Sequence, residues 1–427
     1  MRTRVVIAAA AVAFAALATV QPAATADPAA ADPRVPAGYL ADASDPAVTS
    51  LAADFGLTIG EARARIGWQE AAIELHDQLA TDDVDHFGGL WIDQADGGRV
   101  KIGAVGDSAK IDTVVRAAGI GKVTDVVKVR NTWSQLNADL LELKPTVAQL
   151  NQAAAGPARA VTMATKPSEN RNVLYVADAA AKVPAVAAAV DGLRSRGAER
   201  LVVDTTEAPV IADEACLLSP RTCDAPLRGG IYFKRPVAGG FCSTAFNARS
   251  NSDGAWYMMT AGHCGGTDTV YDVYQPSTGQ WHRVGHVHAF RDSLNNDHAI
   301  VTINNVAGWR PTNWVRVYES SDTVANNSYP ITGTSTSPEG TRVCLSGATT
   351  GSSCGDVVEL NYNGPGGWAR AHYCHGPGDS GGAVYSYNKA RGIHVATGNG
   401  DDDACHWALF QGIREAESHL NVHVHTG

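Results

Sequence analysis

The sequence predicts an all-β domain in the C-terminal half of the chain, preceded by a domain of mixed α and β structure. In the C-terminal half, short runs such as 283–288 (RVGHVH) and 298–303 (HAIVTI) alternate in polarity between Gly, Asn, Ser and Pro turn signals, as in barrels and sandwiches. All eight cysteines also lie in this half. The composition changes between residues 209 and 230. The chain of 427 residues is also longer than a single domain with one hydrophobic core, so we expect two or three domains.

Residues 1–26 have the features of a signal peptide. Arg2 and Arg4 precede an apolar run over 5–20, and the small residues 24–26 (ATA) follow it. The apolar run is short for a membrane span, and the alternative is an uncleaved anchor. We therefore expect a secreted, extracellular protein that has no membrane association after signal cleavage.

Residues 27–215 alternate helical and strand patterns and contain no cysteine before Cys216. Apolar spacing predicts a helix over 57–79, two strands over 88–105, and a second helix that starts near Trp133 and ends at Pro145. Residues 101–130 and a segment some 70 residues later both show a strand–helix–strand pattern. The sequence predicts an α+β fold with a duplicated unit, to which we assign no chemistry.

An even number of cysteines in an exported chain predicts four disulfides, although about 105 connectivities are possible. A zinc site is the alternative, but no cysteine pair has the close spacing of such a site. Pairing of neighbours is the simplest hypothesis. It joins Cys216–Cys223, Cys242–Cys264, Cys344–Cys354 and Cys374–Cys405.

Three fragments carry residues for nucleophilic catalysis: 260–264 (TAGHC), 296–300 (NDHAI) and 376–382 (GPGDSGG). A serine such as Ser380 needs a base, and His263 is the candidate, with Asp297 to fix its tautomer and offset its charge. Glycines around the serine let the N–H groups of Gly378 and Ser380 point at one oxygen. Each fragment alone is more often a plain turn or a packed histidine. Their order and the flanking cysteines favour a catalytic triad.

On these residues, together with 242–247 (CSTAFN) and 343–351 (VCLSGATTG), region 229–427 resembles the chymotrypsin family in its bacterial streptogrisin and α-lytic protease branch. The resemblance implies two antiparallel six-stranded β-barrels with the triad between them. It also implies that 27–215 is a pro region that assists folding and then inhibits. Residues 216–228 would form a processing junction with a local disulfide, and the mature chain would begin before this loop or after Leu227 or Arg228.

One position departs from the family pattern. Members of this branch pair the aspartate before the nucleophile with an arginine, but Leu345 occupies that position here. Asp379 therefore needs another partner, and Arg342 is our hypothesis.

The resemblance also places a substrate pocket just before Ser380 and just before Cys405. Its expected residues are His372, His375, His394, Thr397, Gly398 and Asn399. His394 falls where glutamate-specific streptogrisins carry a pocket histidine, whereas the acidic run 401–403 would repel an acidic side chain and attract a basic one. Because members of this branch usually prefer an apolar residue before the scissile bond, we expect an apolar preference.

We therefore predict a serine endopeptidase, made as a self-processed zymogen, whose partners are polypeptide substrates and its own pro region. An esterase with the same triad and a non-catalytic binding module are the alternatives. The net charge of −10 and the lack of a basic run argue against nucleic-acid binding. We expect no cofactor, no metal despite the histidines of the C-terminal tail, and a monomer.

Overall fold

The computed structural model describes residues 34–36, 38–154, 160–197, 200–205, 211–212, 222–237, 239–293, 295–318, 324–398 and 405–427. The predicted signal peptide, Cys216 and Asn399 lie outside the described residues. Within these ranges, no helix is both long enough and apolar enough to cross a bilayer. Below, 34–212 is called the N-terminal region and 222–427 the C-terminal region.

The N-terminal region combines helices with two small sheets. Its helices are α1 (Pro46–Phe55), α2 (Ile59–Asp82), α3 (Ala109–Ala117), α4 (Trp133–Ala153), α5 (Asp178–Ala181) and α6 (Pro184–Gly197). Its strands are β1 (Phe87–Asp93), β2 (Arg99–Ala104), β3 (Thr124–Lys128), β4 (Val161–Lys166), β5 (Arg171–Val176), β6 (Leu201–Asp204) and β7 (Ile211–Ala212). In each sheet an antiparallel pair precedes a parallel pair, with helix between the parallel strands.

Helix α4 differs from the sequence prediction, because it continues through Pro145 to Ala153. A proline inside a helix removes one backbone hydrogen bond. The turns beyond it bury Val147 and Leu150 in the core shared with β4 and β5. Burial of such side chains is worth about 1.5–3 kcal/mol each, which offsets the lost bond.

The C-terminal region is mostly β structure. Its strands are β8 (Tyr232–Lys234), β9 (Phe241–Ser243), β10 (Asn247–Ser250), β11 (Trp256–Thr260), β12 (Val270–Gln275), β13 (Gln280–Ser293), β14 (Asn296–Thr302), β15 (Trp314–Tyr318), β16 (Val324–Pro330), β17 (Gly333–Thr334), β18 (Arg342–Gly347), β19 (Gly351–Tyr362), β20 (Trp368–Ala371), β21 (Ala383–Ser386), β22 (Lys389–Gly398), β23 (Ala408–Gly412) and β24 (Val422–Val424). Its helices are α7 (Val306–Trp309) and α8 (Ile413–Leu420).

These strands form the expected two-barrel arrangement. The first sheet has the order β24-β10-β11-β14-β13-β12-β8-β9 and curls into a half-barrel. In the second sheet, β18-β21-β22-β23-β20-β19 close into a six-stranded barrel through the β18–β19 pairing. The all-β prediction for this half of the chain is confirmed.

The N-terminal region extends the second barrel's sheet. Strand β4 pairs with β19 through Thr165 and Leu360, and β7 pairs with β22. Helix α1 buries Val48 and Leu51 in the core that also contains barrel residues. The two regions therefore share both backbone hydrogen bonds and a hydrophobic core.

Candidate active site

Ser380 lies in a tight loop between β20 and β21 and is almost fully buried. Its carbonyl accepts a hydrogen bond from the Ser243 amide at 2.7 Å. The next residue, Gly381, has φ +83, and a Cβ there would overlap the Thr260 side chain. Only glycine fits this close approach, which brings the serine loop against the end of β11.

His263 follows β11 and faces Asp297 on β14. Its Nδ1 lies 2.7 Å from Asp297 Oδ2. The other carboxylate oxygen accepts from the backbone amides of Gly262 at 2.5 Å and His263 at 3.0 Å. The fully buried carboxylate therefore fixes both the imidazole ring and the backbone of the loop that carries it.

The charge of Asp297 is maintained despite its burial. Burial raises the pKa of this carboxyl, but the charge of His263 and hydrogen bonds from His263 and Gly262 lower it, and the net pKa lies below the ordinary value. An ionised carboxylate at this position favours a proton on Nδ1 of the histidine and stabilises an imidazolium.

The histidine and serine segments touch each other. The Cys264 Sγ, next to His263, lies 3.8 Å from the Ser380 carbonyl oxygen. Cys264 is bonded to Cys242 with an S–S length of 2.03 Å, so the disulfide ties β9 to the histidine loop. All three residues predicted for the triad therefore belong to segments that meet between the two sheets.

The loop before Ser380 is held by the carboxylate of Asp379. This carboxylate accepts hydrogen bonds from the backbone amides of Thr349 at 2.7 Å, Thr350 at 3.0 Å and Gly376 at 2.8 Å. Gly378 has φ +97, where a side chain would overlap Phe241. These contacts restrain the peptides around the candidate oxyanion residues Gly378 and Ser380, as preorganised donors require.

Arg342 does not pair with Asp379, so that hypothesis was wrong. Its guanidinium donates to Asp356 at 3.2 Å and to Asp54 and Ser50 of helix α1. Arg342 starts β18, whereas Asp379 packs against Gly347 at the other end of that strand. Five residues of strand span about 17 Å, which an arginine side chain does not bridge.

Ser243 is a site residue that sequence reasoning missed. Its hydroxyl donates to the Gly378 carbonyl and accepts from the Ala348 amide, both at 2.8 Å. With its amide bonded to Ser380, it holds the nucleophile loop at two points. Its place directly after Cys242, in a motif already singled out, was the available signal. Gln411 was missed as well. Its side chain accepts a hydrogen bond from the Asp297 amide at 3.2 Å, and no signal in the sequence pointed to it.

Two of the predicted pocket histidines form a buried cluster. His394 Nδ1 lies 3.0 Å from the Tyr373 hydroxyl oxygen, and the rings of His375 and His394 are 4.9 Å apart. His394 is 0% and His375 4% exposed. His372 is exposed instead and packs edge-on against His406.

Thr397 and Gly398, also predicted for the pocket, pair through their backbones with β7 of the N-terminal region. A strand from the same chain therefore runs alongside their backbone.

Three of the predicted disulfides are present: Cys242–Cys264, Cys344–Cys354 and Cys374–Cys405. Cys223 has a free thiol in the structure and accepts a hydrogen bond from Arg316 at 2.8 Å. Its predicted partner Cys216 lies outside the described residues, so that pairing stays a prediction. Sulfurs of Cys242 and Cys264 lie within 4.8 Å of a His263 nitrogen, but disulfide sulfurs are not the thiolates that bind metals.

Sequence comparisons find relatives among bacterial serine proteases. No family model matches the chain. Serine protease 2 of Streptomyces fradiae is 34% identical over 165 residues, which cover 37% of this chain and 87% of that protein. Glutamyl endopeptidase 2 of Streptomyces griseus is 31% identical over 210 residues, covering 46% and 97%. Streptogrisin-C of Streptomyces griseus is 31% identical over 198 residues, covering 44% and 39%.

Two solved structures that align with part of the chain are proteases as well. Nocardiopsis protease matches with a TM-score of 0.37 at 26% identity, covering 47% of this chain and 98% of that one. A glutamic acid specific serine protease described as using a histidine triad in substrate binding matches with a TM-score of 0.38 at 27% identity, covering 47% and 100%. On the strength of the sequence relatives, the chain belongs to the chymotrypsin-like serine proteases of the bacterial streptogrisin branch.

Proposed function

We propose that this protein is a secreted serine endopeptidase that cleaves peptide bonds through Ser380, His263 and Asp297. The observation that carries the proposal is the 2.7 Å contact between His263 Nδ1 and the buried Asp297, on a loop that touches the Ser380 segment. Export rests on the predicted signal peptide at 1–26.

The chemistry follows from the roles of these groups. His263 takes the proton of the Ser380 hydroxyl as its oxygen attacks the substrate carbonyl, and Asp297 stabilises the resulting imidazolium. The amides of Gly378 and Ser380 donate to the oxygen on which negative charge develops. The imidazolium then protonates the leaving amine. An acyl-enzyme remains, which water hydrolyses with the same histidine as base.

The N-terminal region is proposed to be a pro region that assists folding. Strands of the C-terminal barrel pair across long sequence distances, which makes folding slow. A preformed strand such as β4, paired with β19, offers an edge on which the barrel sheet can assemble. Helix α1 contributes Val48 and Leu51 to the same core.

The same region is proposed to inhibit the enzyme until it is removed. Strand β7 lies along the end of β22, the strand that holds the nucleophile loop through the His394 carbonyl. A substrate that binds by adding a strand to this edge would have to displace β7.

The test is expression of the full precursor in a secreting host, followed by treatment with a serine-directed fluorophosphonate. We expect secreted, shortened protein that is labelled at Ser380 and degrades casein. The Ser380→Ala precursor should stay full-length and unlabelled, while Ser252→Ala, in an exposed loop, should behave as wild type. Protease activity that survives in Ser380→Ala would contradict the proposal.

A further inference from the structure

The hydroxyl of Thr349 holds the peptide unit just before Gly378. It donates a hydrogen bond to the Pro377 carbonyl at 2.7 Å, and a Cβ on Gly378 would lie 2.6 Å from the same hydroxyl oxygen. Thr349 follows strand β18, and its own backbone amide donates to the Asp379 carboxylate at 2.7 Å. The threonine is therefore fixed against the nucleophile loop by both its backbone and its side chain.

That hydrogen bond sets the direction of the Gly378 N–H. The Pro377 carbonyl and the Gly378 N–H belong to one planar trans peptide unit, in which the two groups point in opposite directions. Because the carbonyl faces the Thr349 hydroxyl, the N–H points away from it. A turn of this unit changes the φ of Gly378, and glycine accepts both signs of φ, so the hydrogen bond selects one orientation of the donor.

The next two peptide units of the loop are held in other ways. The Gly378 carbonyl accepts a hydrogen bond from the Ser243 hydroxyl at 2.8 Å. The Asp379 carbonyl, in the unit that supplies the Ser380 N–H, accepts from the Gly382 amide at 2.8 Å. The backbone thus orients the Ser380 donor, whereas a side chain orients the Gly378 donor.

From these contacts, and resting on the endopeptidase function proposed above, we propose that Thr349 is a positioning residue of the oxyanion hole. Its hydroxyl keeps the Gly378 N–H directed at the carbonyl oxygen of the substrate. The Ser243 hydroxyl secures the following peptide unit of the same loop. Thr349 acts through the peptide unit that it holds, and not by contact with the substrate.

The effect of this positioning belongs to the transition state. The negative charge that the Gly378 N–H stabilises develops only as Ser380 attacks. A misdirected donor therefore slows the chemical step and leaves substrate binding nearly unchanged. Removal of an oxyanion donor outright costs about 10²–10³ in kcat. Thr349→Val leaves the donor in place but able to turn, so we expect a smaller loss, of about 10- to 100-fold.

The experiment compares mature enzymes obtained from full precursors. Peptide anilides with Leu, Glu or Lys before the scissile bond are tried on the wild type, and the one that it cleaves fastest is used for every variant. Active enzyme is counted by fluorophosphonate labelling run to completion. Thr349→Val should lower kcat by about 10- to 100-fold and leave KM within about twofold. Thr349→Ser, which keeps the hydroxyl, should restore most of the rate.

Thr312→Val is the matched control. The Thr312 side chain is also half-buried, and its hydroxyl donates to a backbone carbonyl, that of Leu227, at 3.0 Å. This variant loses the same kind of hydrogen bond away from the nucleophile loop, so it should keep the kcat of the wild type. Its melting temperature shows how much stability such a hydroxyl contributes, and Thr349→Val should lose no more.

A peptide boronate separates positioning from folding, because it forms a charged tetrahedral adduct with Ser380 that resembles the transition state. Its affinity should fall together with kcat in Thr349→Val. Ser243→Ala, measured in the same way, tests the second hydroxyl and should also lower kcat at an unchanged KM. It carries the comparison if Thr349→Val yields no mature enzyme.

The outcomes separate this inference from the function on which it rests. If the wild type is active, while kcat and boronate affinity are unchanged in Thr349→Val, or in Ser243→Ala where the first variant is not secreted, the inference is overturned and the proposed function stands. A lower melting temperature without a loss of kcat gives the hydroxyl a structural role only, which also overturns the inference. A wild-type enzyme that cleaves none of the peptides and stays unlabelled overturns the proposed function instead.

Discussion

The hydroxyl of Tyr175, in the N-terminal region, donates a hydrogen bond to the buried carboxylate of Glu359 in the C-terminal barrel. Arg370 donates to the same carboxylate at 3.1 and 3.0 Å, and Lys166 lies 3.6 Å from it. Arg370 belongs to the barrel, whereas Tyr175 and Lys166 do not. If the N-terminal region is removed, Glu359 keeps its partner Arg370 within the barrel. When the two regions associate, Glu359 gains two further contacts, to Tyr175 and Lys166.

Replacing Tyr175 by Phe should weaken this association. A hydrogen bond to a charged group contributes about 1.5–3 kcal/mol, and the remaining partners of Glu359 should keep the loss near the lower value. Urea unfolding of the Ser380→Ala precursor measures it. Tyr274→Phe, in the first sheet and packed against Trp281, is the matched control. Equal stabilities of the two variants would contradict the assignment.

The association should weaken as the pH rises through about 7. Glu339 accepts hydrogen bonds from Ser168 of the N-terminal region, and burial raises the pKa of its carboxyl to about 7. Folding raises the pKa of this carboxyl, so the folded chain holds the proton more tightly than the unfolded chain does. The folded structure is therefore most stable at a pH below the pKa of Glu339 in the unfolded chain. It loses stability as the pH rises and the carboxyl ionises.

The measurement is the urea midpoint of the Ser380→Ala precursor between pH 5 and 8. Glu339→Gln mimics the protonated carboxyl and should flatten the fall between pH 5 and 7, above which the Glu339 contribution is already lost. Asp253→Asn, at an exposed turn, should leave the curve as in the parent. A Glu339→Gln curve that falls as steeply as the parent curve between pH 5 and 7 would contradict the assignment, since the comparison cancels the contributions of all other titrating groups.

Asp297→Asn should slow self-cleavage by about 10⁴-fold while the fold is retained. An asparagine has one N–H donor group where Asp297 has a second acceptor oxygen. If that group faces His263 Nδ1, the histidine takes the wrong tautomer. If it faces the loop instead, the hydrogen bonds from the Gly262 and His263 amides are lost. A time course of precursor shortening gives the rate, and circular dichroism checks the fold. Asp292→Asn lies on the paired strand β13 and makes the same change of charge, so it should process at the normal rate.

Gly381→Ala should destabilise the C-terminal region by about 2 kcal/mol or more, since a positive φ costs a non-glycine residue about 1–3 kcal/mol and the added Cβ also overlaps the Thr260 side chain and Ser243 carbonyl. Thermal melting of the Ser380→Ala precursor is the measurement. Gly266→Ala, where a Cβ would meet only Phe290 at 3.8 Å, is the control. Similar melting temperatures for both variants would contradict the close approach.

The sequence predicted the fold class and the chemistry because both have local signatures. Alternating polarity and turn residues indicated the barrel strands, and the fragments around His263, Asp297 and Ser380 identified residues whose segments the structure brings together. Local patterns failed at Pro145, where burial of the following turns outweighs the missing hydrogen bond. They failed again at Arg342, because no local pattern states which end of β18 faces Asp379.

The chain's own composition and motifs thus determined the class of enzyme, since a nucleophile, a base and their glycine-rich turns must be written into short segments. Tertiary structure alone decided which partners those segments meet. The register of β7 on β22, the bond from Tyr175 to Glu359 and the ion pair from Arg342 to Asp54 join residues far apart along the chain. Such contacts arise only when strand pairing and core burial together bring distant segments close enough to repay the entropy of closing the loops between them.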